Sequence, residues 1–180
     1  LCCRNYVAHG IGSHLEEIAA QASESCGEEV VLVYLDAGFP LLNSCPLLPH
    51  LSHVDGKQVD LAFCFADENG TYQKGSKKNL LGYGIYEEPR PNESNTNELC
   101  SGQGFWQYDV LGTFAHDWKP KWYAGEYMNK IMLEAIEQHP QVRRIFVEPH
   151  LKQRWQLGKK VKFHGCHAVR HDDHIHIDFK

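Results

Sequence analysis

The last six residues before the terminal lysine alternate strictly between polar and apolar side chains, His174-Ile175-His176-Ile177-Asp178-Phe179. Period two is the repeat of a β-strand. His174, His176 and Asp178 therefore share one face. Ile175, Ile177 and Phe179 share the other, which is predicted to bury against a core. A second alternation runs from Gln58 to Asp67, with Val59, Leu61, Phe63 and Phe65 set between Asp60, Ala62, Cys64 and Ala66, and it ends at the turn signal Asp67-Glu68-Asn69-Gly70. Glu29 to Asp36 is apolar and β-branched and reads as a central strand. Helical spacing appears twice. Ile11 to Cys26 carries the stripe Leu15, Ile18, Ala19 and Ala22, with Ser13 and Glu16 placed as a capping box and Gly27 as a stop. Lys121 to Gln138 carries the longest apolar face, Tyr123, Tyr127, Met128, Ile131, Met132, Ala135 and Ile136, between Pro120 and Pro140. Arg143 to Glu148 reads as another strand, and His150 to Leu157 as a short helix stopped by Gly158.

Helices and strands do not follow a strict βαβ order, so the expected class is α+β, a mainly antiparallel central sheet with flanking helices. At 180 residues, with no interdomain linker or internal repeat, one domain over residues 1–180 is expected. Residues 68–104 fit neither period and read as a long excursion. An excursion of that length in a compact domain is often functional.

Composition narrows the function classes. A net charge of -5 gives no sign of a nucleic-acid or anionic-membrane partner. No apolar run reaches the ~20 residues of a membrane span. The chain starts on Leu1 rather than Met, which fits a trimmed N-terminus from which a signal peptide has been removed. Seven cysteines without a Cys-x-x-Cys pair argue against a cysteine zinc knuckle. They fit an exported chain with some disulfides, and equally several buried thiols, with Cys64 and Cys166 expected inside. Twelve histidines draw attention to metal and proton chemistry.

The candidate chemistry concentrates at two places. His171-Asp172-Asp173-His174-Ile175-His176 sets three imidazoles and two carboxylates on and just before the last strand. His53 and Asp60 are seven residues apart, so they meet only if the chain turns between them, and Asp55-Gly56 supplies a turn. That turn would put Asp60 at the start of its strand. With His176 they make two imidazoles and a carboxylate with one open position, the pattern of a catalytic rather than a structural zinc site. Zinc held that way makes water a nucleophile near neutral pH. Asp172 or Asp173 is a candidate to orient an imidazole, and His50 a candidate to support the ligands. His9, His14, His139, His164 and His167 read as surface or structural residues. So does His150 in Glu148-Pro149-His150, which follows a strand end. The aromatic neighbourhood of His116-Asp117, namely Phe105, Trp106, Tyr108, Phe114, Trp118, Trp122 and Tyr123, is expected mostly in the core, with lining of a peptide or glycan cleft as the alternative.

Ser52-His53-x-x-Gly56-x-x-x-Asp60 followed by His171-x-x-His174-x-His176 resembles the zinc peptidases of the lysostaphin and D-Ala-D-Ala peptidase group. Pro49-His50-Leu51-Ser52-His53 and His171 to His176 are most similar to the penicillin-insensitive murein endopeptidases within it. The likeness covers residues 49–60 and 171–176; residues 68–120 do not share it. It implies Zn2+ on His53, Asp60 and His176, His174 as general base or proton shuttle, and His171 beside the scissile carbonyl, stabilising charge in the transition state. It also implies a hedgehog or D-Ala-D-Ala-peptidase-like fold, a peptidoglycan peptide as substrate, and a periplasmic or secreted location. A D,D-carboxypeptidase or dipeptidase of the same fold is an alternative. So is a zinc-stabilised binding module, since hedgehog signalling domains carry a similar arrangement. His171 and His174 favour an enzyme, because metal binding alone does not need them. The bond cut, the cysteine pairing and the oligomeric state stay open at this level.

Overall fold

The computed structural model describes residues 4–38, 53, 55–108 and 117–180. The elements, in order, are α1 (Ile11–Cys26), β1 (Gln58–Ala62), β2 (Phe65–Ala66), α2 (Thr96–Gly102), a single 3-10 turn (Trp106–Tyr108), β3 (Tyr123–Ala124), α3 (Glu126–Gln138), β4 (Val142–Phe146), α4 (Pro149–Arg154), β5 (Val161–Lys162) and β6 (His174–Phe179). The class is α+β, built on a mixed four-stranded sheet in the order β1-β6-β4-β5. β6 lies antiparallel to both β1 and β4, while β5 runs parallel to β4. An inner position thus falls to the last strand of the chain. β1 is an edge of this sheet, and Asp60 sits in its middle rather than at its start. Among the described residues no helix is long and apolar enough to cross a membrane.

The apolar half of the alternation in β6 behaves as its period requires. Ile175, Ile177 and Phe179 join Ile18 of α1 and Met132, Leu133 and Ile136 of α3 in one buried cluster. The polar half is buried as well, so that all six residues of β6 are shielded from solvent. Burying His174, His176 and Asp178 costs free energy unless each is partnered. Such a concentration of buried ionisable groups is characteristic of functional sites.

Several elements depart from their local pattern. Residues 29–36 do not form a regular strand. They run as an extended segment along β1, with Leu35 N donating to Asp60 O and Asp60 N to Asp36 O. The expected strand from Gln58 to Asp67 breaks after Ala62. The side chain of buried Asn129 in α3 takes over the backbone of Cys64, accepting from its N–H at 2.9 Å and donating to its carbonyl at 2.8 Å. A backbone whose groups are used this way does not continue a ladder. The chain turns off into β2, which pairs with β3. β3 absorbs Tyr123 and Ala124, so α3 begins at Glu126 rather than at Lys121. Tyr123 and Tyr127 of the expected apolar face stay 43% and 65% exposed. α1 spans Ile11–Cys26 as expected, but its cap is Gly10 in a left-handed conformation rather than Ser13, and no side chain caps it. Ile11, in its first turn, is buried. Gly27 closes the helix in the left-handed conformation, as its position suggests.

The excursion of residues 68–104 is anchored rather than loose. Cys100 in α2 is disulfide-bonded to Cys166, which is half-buried rather than inside. Cys64 is a buried free thiol and Cys26 a half-buried one. Arg154, ending α4, clasps Glu93 through two nitrogens at 2.9 and 2.6 Å. The hydrogen bonds from Arg154 pull the Glu93 carboxyl down to about 2 from an ordinary 4.5. A depressed carboxylate contributes stability that is complete above the unfolded value and is lost as the pH falls through the folded one. Unfolding titrated from about pH 6 to pH 2 should therefore show an acid limb between those two values, and Glu93→Gln should remove ~1–2 kcal/mol of it once solvent screening is allowed for. Parallel acid profiles for parent and variant would show that the pair contributes nothing.

Candidate metal centre

The register of β1 against β6 places Asp60 directly opposite His176. Opposed residues on paired strands point to the same face, so a carboxylate and an imidazole separated by 116 positions meet without any loop adjustment. His176 Nδ1 lies 2.8 Å from Asp60 Oδ1. His53 joins from the segment before β1. Asp55-Gly56 makes the turn there. Asp55 Oδ1 accepts from Lys57 N, and Gly56 takes a φ of 71° against Val7 and Ala8, where a Cβ would lie 2.8 Å from Ala8 N. No larger residue fits that approach. His53 Nε2 then sits 3.2 Å from both Asp60 Oδ1 and His176 Nδ1.

These three side chains could hold a metal ion. A tetrahedral site with bonds of about 2.0–2.1 Å sets its ligand atoms about 3.3 Å apart, close to the 3.2, 3.2 and 2.8 Å found here. His53 Nδ1–H donates to Ala37 O at 2.7 Å, which turns the lone pair of Nε2 toward the cluster. On the far side of the His176 ring, Nε2 lies 3.4 Å from Asp178 Oδ1. Asp178 is itself gripped by Arg144 at 2.9 and 2.6 Å. The His53 ring is thus oriented from behind by a hydrogen bond, the arrangement by which proteins tune histidine ligands, and the His176 ring faces the Asp178 carboxylate. All three groups are buried, with at most 1% of the residue exposed. Burial opposes the charge on His176, but the Asp178 and Asp60 carboxylates outweigh it and push its pKa up to about 9, so a metal ion bound at Nδ1 would displace a proton.

His174 and His171 lie beside this cluster. His174 Nε2 is 3.8 Å from Asp60 Oδ1, and the His171 ring centre is 4.9 Å from that of His174 and 5.6 Å from that of His176. Asp173 Oδ1 contacts His174 Nδ1, which resolves the choice between the two neighbouring carboxylates. Asp172 instead binds Arg170 at 2.6 and 3.0 Å and Asn97 at 3.0 Å. Burial is the larger opposing influence on His174, yet Asp173 and Asp60 raise its pKa overall. His171 goes the other way: burial and then the neighbouring His174 and His176 hold it well below the usual range, so it stays neutral. Its backbone is fixed by Glu148, whose N–H donates to His171 O at 3.0 Å and whose Oε1 accepts from His171 N at 3.3 Å.

A scan against protein families finds no matching family model, and a search of curated proteins finds no match.

Other histidines sort by their contacts. His164, expected to be a surface or structural residue, stacks on Phe146 with ring centres 4.1 Å apart and lies 5.3 Å from the His171 ring. Exposed on its outer side, it borders the cluster. His150 Nε2 is bonded to Glu87 O at 2.6 Å, a structural contact. His50, Phe114 and His116 lie outside the described residues. Of the aromatic neighbourhood, Tyr108 is buried, but Trp106 and Trp118 are 55% and 57% exposed and do not belong to the core. A second convergence, His14, Glu17 and His139, lies on the helix side of the sheet. Gln141 N donates to His139 Nδ1 at 3.3 Å, which puts the ring proton on Nε2, 2.9 Å from Glu17 Oε2. That tautomer makes a clasp between α1 and the end of α3 rather than a set of lone pairs for a metal.

Sequence reasoning misses Tyr83, whose hydroxyl donates to Asp60 Oδ2 at 2.9 Å. It falls in the irregular excursion, and the only local signal is the pair of flanking glycines.

Proposed function

We propose that this chain is a zinc-dependent peptidase that hydrolyses an amide bond in bacterial peptidoglycan peptides. The observation that carries the reading is the placement of His174: beside the three ligand side chains, not among them, with Asp173 behind it. A group needed only for ligation has no use for that position, whereas a proton carrier must stand next to the metal. His53, Asp60 and His176 would hold a zinc ion, which when bound would supply Lewis acidity and a water nucleophile near neutral pH. His174 takes the proton as water attacks and returns it to the leaving amine. Asp173 keeps the His174 ring in the required orientation and favours its protonated form. Neutral His171 offers an N–H to the oxygen of the scissile carbonyl as charge develops there. The same reading includes the hedgehog and D-Ala-D-Ala-peptidase type of fold. The Cys100–Cys166 disulfide supports a periplasmic or secreted location, since such bonds persist in oxidising compartments.

The direct test is hydrolysis of purified muropeptides. Cleavage is expected with zinc, loss on chelation and recovery on adding zinc back. A zinc-loaded protein inert on every muropeptide would instead support a metal-stabilised binding module.

A further inference from the structure

The two carboxylates that control this site are both held by one dipeptide from the excursion. Asp60 turns Oδ1 toward His53 and His176 and gives Oδ2 to the Tyr83 hydroxyl at 2.9 Å. The next residue, Gly84, donates its N–H to Asp173 Oδ2 at 2.5 Å, while Asp173 Oδ1 contacts His174. The Tyr83 ring also stands edge-on to His174, with centres 5.0 Å apart at 79°.

The segment is built to hold that pose. Asn79 closes it from within, its side chain accepting from Gly82 N at 2.6 Å and donating to Tyr83 O at 2.8 Å. Gly82 and Gly84 both adopt left-handed φ values, 85° and 81°. A Cβ on Gly82 would collide with Leu35 Cδ2. Beyond the pair, Glu87 N donates to Asp172 O at 2.7 Å and ties the segment to the stretch that carries the histidines.

We propose that Tyr83-Gly84 is a positioning clamp that confines Asp60 to one-oxygen ligation and holds the Asp173–His174 pair in register with the metal. The proposal rests on the reading of His53, Asp60 and His176 as a metal centre. An oxygen occupied by a phenol hydroxyl is withheld from the ion, so the carboxylate presents Oδ1 alone and the coordination number stays low. Tyr83 is a positioning residue that acts through Asp60 and against the edge of the His174 ring.

Cobalt(II) titration of the apo protein tests the clamp without relying on turnover, because the ion's visible spectrum reports coordination number. The parent is expected to bind one Co2+ with the intense absorption of a four-coordinate site, and His53→Ala is expected to abolish it. Tyr83→Phe removes one oxygen atom. Its Co2+ affinity should fall ~10–100-fold, the usual cost of losing a group that orients a ligand. Its spectrum should weaken toward five-coordination in an apo protein that still unfolds cooperatively. Asn79→Ala, which releases the segment but leaves the phenol, should shift affinity and spectrum the same way. Parental affinity and spectrum in folded Tyr83→Phe and Asn79→Ala would overturn the clamp and leave the metal centre standing. A parent that binds no Co2+, or binds it undiminished in His53→Ala, would overturn both.

Discussion

His53→Ala, Asp60→Ala and His176→Ala are each expected to be purified with at least roughly tenfold less zinc than the parent, which should carry about one ion per chain, the stoichiometry of a mononuclear site. The three positions are equivalent in this respect because each would supply one corner of the same triangle of candidate ligand atoms, 3.2, 3.2 and 2.8 Å on its sides. Removing any corner leaves two ligands, too few to hold the ion against water. Stability gives a second readout. An ion that binds only the folded state stabilises it by ~2.7 kcal/mol when free zinc is a hundredfold above Kd. At roughly 2–4 °C per kcal/mol for a chain of this size, chelation should lower the parental Tm by about 5–10 °C. The three variants should show no such chelator response. Elemental analysis finding full zinc in all three would remove the metal centre, and with it the proposed chemistry.

Removing His174 is expected to separate binding from turnover. His174→Ala should keep its zinc and lose about 10²–10⁴-fold in kcat/KM on a muropeptide, the range contributed by a positioned general acid or base. Retention of zinc follows from geometry: His174 Nε2 stands 3.8 Å from Asp60 Oδ1, beside the ligand triangle rather than in it. His171→Ala should behave similarly, because its neutral ring is assigned to charge that exists only in the transition state. His9→Ala, an exposed side chain outside the ligand cluster, is the control expected to match the parent. His164 is unsuited to that role, since its ring borders His171. Rates are to be compared at equal zinc content. Parental kcat/KM in zinc-loaded His174→Ala would show that no proton passes through this ring.

The parts of this protein that could be read from sequence are those whose signal lies between near neighbours. The alternation of His174 to Phe179 defines a strand and sorts its side chains into two faces, because period two is a property of the backbone itself. The turn at Asp55-Gly56 and the end of α1 at Gly27 follow from residues able to adopt left-handed φ. His53, Asp60 and His176 could be grouped because their residue types and spacing suit a metal, and they do converge. What needed the tertiary structure depends on partners far apart in sequence. Cys64 leaves the strand pattern because Asn129, 65 positions away, binds its backbone. Tyr123 and Tyr127 carry helical spacing but remain exposed, because pairing of residues 123–124 with β2 sets where α3 begins. Asp172 and Asp173 are chemically the same residue; Arg170 and Asn97 claim the first and Gly84 with His174 the second. Tyr83 reaches Asp60 across 23 positions from a stretch with no period at all. A periodic pattern states which face a residue occupies, but which group it meets there is decided only when the sheet and the excursion close over each other.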